Sequence, residues 1–445
     1  MSTKKTINLS TKKDREILRI ALPSIVANIT VPLLGLVDVA ITGHLGNAAY
    51  IGAIAVGSMI FNVIYWVFGF LRMGTSGMTS QAYGRHDTAS AMLLLARALC
   101  VGLCVAFAIV VLQSPLLHLA LAATGADMSL RPLVHTYFGI CVWGAPAMLC
   151  LYAFTGWFIG MQDTRVTMTV SIVQNVVNIA ASLFFVYGCG MKIEGVATGT
   201  LVAQYAGVLV AGGFVVARFR QEFCVLSWRS VLMADALARF FTVNRDIFLR
   251  TLFLVAVNLF FVSAGTAQGT VLLAVNTLLM QLFTLFSYVM DGFANAGEAL
   301  CGKYAGAADR MAFASVVRRL FVWGTVVAAA YTAVYVAGGN ALLSLLTDET
   351  CVLAAAGAYL PWAVAIPAAG MAAFVWDGIF IGITDTRGML VSSALSSLLF
   401  FAVWFMASPH MHNHGLWMAF IVYLAARGAV QTLLFVMKTK VKAGS

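Results

Sequence analysis

The chain has 445 residues, of which 61% are hydrophobic and only 10% charged, with a mean hydropathy of +0.93 and a formal charge of +10. This composition lies far outside the range of soluble globular proteins and makes lipid the main solvent. The positive charge invites a nucleic-acid reading, but the basic residues sit in tails and turns between apolar segments, so they report membrane topology instead.

Met1 to Lys13 is polar and basic, with no cleavage site behind a short apolar core. It predicts a retained cytoplasmic tail over residues 1–16 and a first helix that serves as its own insertion signal. Apolar stretches long enough to cross a hydrocarbon core, roughly 20 residues each, then begin near Ile17, Tyr50, Ala89, Val134, Val166, Gly195, Ile247, Thr270, Met311, Ala354, Gly388 and Gly415. No run of alternating polarity marks a membrane barrel. The expected fold is therefore an all-α integral membrane protein of about twelve transmembrane helices.

Basic residues alternate with the sides of the membrane. Lys4, Lys5, Lys12, Lys13, Arg15 and Arg19 precede the first helix, Arg218 to Arg250 surround the central connection, and Lys438, Lys440 and Lys442 close the chain. Arg85, Arg165, Lys303, Arg310 and Arg387 occupy the other even-numbered turns, whereas the opposite side carries Arg131 and Lys192. That asymmetry predicts a multi-pass protein of a bacterial inner membrane with both termini cytoplasmic. Of the 27 basic residues, Arg72, Arg97, Arg250 and Arg427 fall toward helix ends, where they are expected to snorkel to the interface. The eight cysteines show no metal-ligand spacing and read as small apolar residues.

The segment Phe158-Ile159-Gly160-Met161-Gln162-Asp163-Thr164-Arg165 returns 222 positions later as Phe380-Ile381-Gly382-Ile383-Thr384-Asp385-Thr386-Arg387, identical at six of eight positions. A weaker match at the same offset relates Gly84 and Asp87 to Gly306 and Asp309. Six helices per half return the chain to the same side, so the halves form two parallel, pseudo-symmetric six-helix bundles. The expected organisation is a first lobe over 17–217, a cytoplasmic linker over 218–246, a second lobe over 247–437 and a tail over 438–445.

Within the spans lie four acids, Asp38, Asp291, Glu298 and Asp377. A charge near the bilayer centre costs about 2.5–3.5 kcal/mol even on lenient scales, so these side chains should face protein or an aqueous cavity. Gln281, Thr284, Tyr288, Asp291, Asn295 and Glu298 recur at spacings of three and four, forming one polar stripe on the eighth helix. It can line a substrate cavity or hydrogen-bond neighbouring helices. Thr167, Ser171, Gln174, Asn175, Asn178 and Ser182 do the same on the fifth helix, and Ser24, Asn28, Gly35, Asp38 and Thr42 on the first. Pro32 removes a helix bond in between and is the expected hinge. Trp376, beside Asp377, reads equally as a cavity wall or a lipid-facing ring. His410, His412 and His414 have metal-friendly composition but sit in an expected solvated turn, so no metal or other cofactor is assigned. No phosphate-binding loop, HExxH motif or nucleophile elbow is present in the sequence, and no enzymatic activity is expected.

The run from Leu22-Pro23-Ser24 to Leu36-Val37-Asp38, followed by Gly43-His44-Leu45, resembles the first helix of the multidrug and toxic compound extrusion (MATE) family in its DinF branch. So do Phe70-Leu71-Arg72-Met73, Gln81-Ala82-Tyr83-Gly84, Asn244-Arg245-Asp246-Ile247, Asp291-Gly292-Phe293 and Asp377-Gly378-Ile379-Phe380-Ile381-Gly382. The resemblance implies a V-shaped antiporter, expected to act as a monomer in the bilayer, that exports organic cations or amphipathic drugs against a proton or sodium gradient. It makes Asp38 the ion-coupling acid, with Asn178 and Thr200 as the polar positions around it. Many relatives carry an aspartate where this chain has Ser182, and the seventh helix lacks the glutamate of the sodium-linked branch. Both departures point to proton coupling. A lipid-linked oligosaccharide flippase of the same superfamily is the alternative, but its cavity should be lined by arginines, whereas the acids here predict a net acidic interior.

Overall fold

A computed structural model describes residues 2–43, 47–124, 127–224 and 227–444. Lipid offers no hydrogen bonds to a bare backbone, so spanning segments must satisfy their own, and every regular element among the described residues is helical. In chain order these are α1 (Ser2–Gly43), α2 (Ala48–Phe68), α3 (Phe70–Gly84), α4 (Thr88–Val111), α5 (Gln113–Thr124), α6 (Arg131–Cys141), α7 (Ala145–Gly160), α8 (Thr164–Leu183), α9 (Ile193–Cys224), α10 (Trp228–Val231), α11 (Ala234–Thr266), α12 (Thr270–Gly306), α13 (Arg310–Leu346), α14 (Thr350–Gly382) and α15 (Thr386–Gly444). Ten stretches among the described residues are long and apolar enough to cross a membrane. The last, Thr386–Lys438, is interrupted at His412, whose φ of 47° and ψ of −122° are not helical, so it holds two crossings. With the apolar part of α1 the total is the twelve expected from the sequence.

The chain packs as two compact units, one of residues 26–244 and one of residues 1–25 with 245–445. Each carries one copy of the internal repeat, and the copies fold alike. Gln162 and Thr384 both take left-handed φ values, 65° and 54°. The amide of Asp163 donates to the Phe158 carbonyl and that of Asp385 to the Phe380 carbonyl, both at 2.9 Å, the long bond of a Schellman cap. The weaker correspondence has the same form: His86 and Ala308 are left-handed (58° and 54°), and Asp87 and Asp309 then cap α4 and α13 by accepting from Ser90 and Ala312 amides at 2.9 Å. The Ser90 bonds hold the Asp87 carboxyl below the ordinary carboxylate range.

Close helix approach repeats as well. A Cβ on Gly156 would run into the Arg72 carbonyl of α3, and one on Gly378 into the Ala294 carbonyl of α12, positions again 222 apart. Neither neighbour is a side chain that can move aside. Gly378→Ala should therefore lower stability by about 1–3 kcal/mol through overpacking, whereas Gly338→Ala, where nothing lies within 4 Å, should not. Thermal unfolding of the purified variants in one detergent compares them.

The histidine turn is solvated in part: His410 and His412 are exposed, as expected, whereas its end turns inward. Asn413 is fully buried and exchanges amide hydrogen bonds with Asn276 at 2.8 and 2.9 Å, and the Trp417 indole donates to Asn276 Oδ1 at 2.8 Å. His414 Nδ1 accepts from the Trp362 indole at 3.0 Å. Buried amides need partners, and these draw the turn inward. No metal-binding group of three or more His, Cys, Asp or Glu occurs among the described residues.

Candidate functional site

In the unit of residues 26–244, α1 carries Asp38 inward, 8% exposed, and the hydroxyl of Thr42, one turn on, donates to its carbonyl. Thr30 ties the same helix to α8: its hydroxyl pairs with Ser171 at 2.8 Å, and its carbonyl accepts from Asn175 Nδ2 at 3.0 Å. Asn28, two residues before Thr30, is half-buried. The side chain of Pro32, the expected hinge, lies outside the described residues.

Further along α8, Asn178 is fully buried and donates through Nδ2 to Thr200 Oγ1 of α9 at 3.1 Å. The resemblance gave both as polar positions around Asp38; the structure bonds them to each other. Ser182, also fully buried, lies against Gly199, the residue before Thr200. Asp38 is within electrostatic reach of Tyr137 and Cys141 of α6. Cys141 Sγ in turn reaches the Ala197 carbonyl of α9 at 4.0 Å, and the Tyr137 hydroxyl meets Ser58 at 3.3 Å.

Several buried polar atoms of this unit make no hydrogen bond among the described residues, among them Asp38 Oδ1, Asn178 Oδ1, Ser182 Oγ, Gln204 Oε1 and the Tyr65 hydroxyl. A buried polar atom left so costs about 1–3 kcal/mol, which a folded chain tolerates where a group must be free to change partners. Tyr65, Tyr137 and Gln204 were not among the residues read from the sequence, and Cys141 was read only as a small apolar residue. Their signal was the four-residue spacing of Tyr137 with Cys141 and of Thr200 with Gln204, which is too short a pattern to stand out on an apolar helix.

The acids of the other unit have a different setting. Asp377 of α14, 7% exposed, accepts from Arg250 of α11, from Arg427 Nη2 of α15 at 3.1 Å and from Gln431 Nε2 at 2.7 Å. Arg250 and Arg427 are only 4% and 5% exposed, so the expectation that they snorkel is overturned. The net acidic interior expected from the acids does not hold around Asp377, where two buried arginines face one carboxylate. A buried carboxylate attracts the guanidinium fork more strongly than the distant interface does. Arg97 is likewise turned inward, donating to the Ser230 and Val231 carbonyls at the end of α10. Trp376 is neither cavity wall nor lipid-facing: it is 4% exposed, and its indole donates to Thr432 at 2.7 Å. On α12, Tyr288 and Asp291 are half-buried and Asn295 and Glu298 buried; Asp291 lies within electrostatic reach of Tyr288 and Arg427.

The first turns of α1 belong to this second unit. Lys13 donates to the Tyr304 hydroxyl, which donates to Glu16 Oε2 at 2.6 Å, and the Trp323 indole donates to Asp14 at 3.1 Å. Burial alone would raise the Glu16 carboxyl, but the Tyr304 hydroxyl and the charges of Lys13 and Lys303 outweigh it and hold it below its ordinary value of 4.5. A depressed acid stabilises the fold above its unfolded pKa and loses that contribution as pH falls through the folded one. Tyr304→Phe should therefore move the acid-induced release of α1, followed by amide exchange of residues 12–25, to higher pH.

Comparison with known proteins agrees with this architecture. The MatE family model matches residues 23–184 and 247–406. The chain is 34% identical to DNA damage-inducible protein F of Escherichia coli over 94% of its own length and 91% of that protein's. It is 23% identical to Protein DETOXIFICATION 44, chloroplastic, of Arabidopsis thaliana over 93% and 80%. Among solved structures, an outward-facing multidrug resistance MATE family transporter superposes with a TM-score of 0.85 at 18% identity, covering 97% of both chains. A MOP superfamily transporter from Pyrococcus furiosus does so at 0.86 and 17%, covering 96% of both. The chain is thus a multi-pass membrane transporter, not an enzyme, and belongs to the MatE family.

Proposed function

We propose that the chain is a proton-coupled antiporter that exports cationic or amphipathic organic compounds by alternating access, with Asp38 as the group that binds and releases the proton. The observation that carries this reading is the buried Asp38 carboxylate with an oxygen that has no hydrogen-bond partner among the described residues, in the unit that also holds the bonded Asn178–Thr200 pair. Ser182, Gln204 and Tyr65 supply hydroxyl and amide groups there that can bond a carboxylate in either protonation state. Asp377 of the second unit is poorly suited to that role, since two arginines already pair with it.

Coupling needs Asp38 to bind its proton differently in two conformations. A proton arriving from outside neutralises the carboxylate, changes its hydrogen bonding on α1 and favours the state that has released substrate. Loss of the proton to the cytoplasm, the side that holds both termini, then favours substrate capture. Names of relatives support the cargo class: a 21% identical protein of Photorhabdus laumondii is a probable multidrug resistance protein. Efflux from proteoliposomes under a proton gradient and, separately, a sodium gradient tests the reading. Export driven by sodium alone would reject it.

A further inference from the structure

The base of α1 presents one exposed face whose chemistry changes along its length. Lys12, Arg15 and Arg19 are exposed, and Leu22, Val26 and Ile29, further along the same side of the helix, are 54%, 43% and 42% exposed. At 3.6 residues per turn all of these positions fall within a stripe about 100° wide. The change from cations to large apolar side chains takes about 4.5 Å of helix, between Arg19 and Leu22. A face that meets water or protein has no need of that order. One that meets a bilayer does, with apolar side chains against the acyl chains and cations at headgroup level.

The charge at this level is unbalanced. Lys303, near the end of α12, lies within electrostatic reach of Lys12, Lys13 and Arg19, and its ammonium is 5.2 Å from the Tyr304 ring centre. Glu16 is the acid that reaches this group, and Lys13 and the Tyr304 hydroxyl already engage it. Asp14 is engaged as well, by Arg319 at 3.6 Å and by the Trp323 indole. Like charges gathered in this way repel unless a counter-charge joins them. The internal repeat shows that the scaffold does not require them: 222 positions after Lys12, Arg15 and Arg19 stand Ala234, Leu237 and Phe241. Membrane topology asks for basic residues on this side, but not for their alignment on one helix face beside a lysine of another helix.

We propose that Lys12, Arg19 and Lys303 form a docking site for the headgroup phosphate of an anionic phospholipid, with an acyl chain following the helix face from Leu22. The occupant is a lipid rather than a soluble anion because the apolar face continues directly from the cations. Arg15, at the same level of the stripe, adds attraction. The bound lipid steadies the base of the helix that carries Asp38. The site does not rest on the efflux reading.

Amide exchange of the purified, delipidated full chain tests it, with dioleoylphosphatidylglycerol, dioleoylphosphatidylcholine and inorganic phosphate as the probes. Phosphatidylglycerol should slow the exchange of residues 12–25 well beyond phosphatidylcholine, and inorganic phosphate should not slow it. Lys12→Gln, Arg19→Gln and Lys303→Gln combined should raise the phosphatidylglycerol concentration needed by on the order of tenfold or more. Arg220→Gln, Arg229→Gln and Arg239→Gln combined, which remove the same charge from exposed positions elsewhere, should leave it unchanged. An equal loss in the two triple variants overturns the proposal, since it would mark general attraction to the whole chain. Equal protection by the two lipids overturns it as well. If the first triple variant does not fold, unchanged protection in both Arg19→Gln and Lys303→Gln overturns it instead. Protection by inorganic phosphate at the same concentration overturns the choice of a lipid.

Discussion

Asp38→Asn is expected to reduce proton-driven efflux in proteoliposomes to the leak rate across the working pH range. The amide keeps the shape of the carboxyl and a hydrogen-bonding capacity close to that of its protonated form, so the fold should survive. What it lacks is the second protonation state. A transporter locked as if permanently protonated can bind substrate but has no free-energy difference through which a proton gradient can act. Thermal unfolding should accordingly move little, and facilitated exchange down a substrate gradient should persist while uphill export disappears. Asp38→Glu should retain some export, because it titrates but carries its carboxylate about one methylene further from α1. Undiminished uphill export by Asp38→Asn would move the coupling role elsewhere.

How legible this was in the sequence depended on the kind of signal. The repeat was readable because a charged turn between apolar helices cannot be masked by hydrophobic similarity, and its two copies share even the left-handed residues Gln162 and Thr384. Asp38 and Asn178 were found through their depth in apolar segments and their resemblance to a family. The arginines were misread because sequence gives the depth of a residue along a helix but not the helix it faces. Tyr423, Arg427 and Gln431 do recur every four residues on α15, a stripe that marks an inward face, but its partner Asp377 lies on another helix about 50 residues away, and nothing local joins them. The two halves therefore share a scaffold and differ in how their buried acids are treated.

That difference makes the second large effect a loss of stability rather than of coupling. Asp377→Asn should lower the stability of the purified protein by about 3–5 kcal/mol, because Arg250 and Arg427 would then keep two buried positive charges with an amide in place of their shared carboxylate. Gln431, which donates to the same carboxylate at 2.7 Å, would face an amide whose donor end can oppose it. Removing one cation at the same time should recover part of the loss: Arg427→Met combined with Asp377→Asn is expected to be more stable than Asp377→Asn alone, a coupling that a double-mutant cycle on thermal unfolding measures directly. Protein that survives Asp377→Asn should still export substrate with an unaltered dependence on the proton gradient, since the exchanging acid is in the other unit. The opposite pattern, a stable Asp377→Asn chain that no longer responds to the gradient, would make Asp377 the carrier. Two arginines and Gln431 around one carboxylate argue against that outcome, because a carrier must be free to exchange partners and this carboxylate is held by three at once.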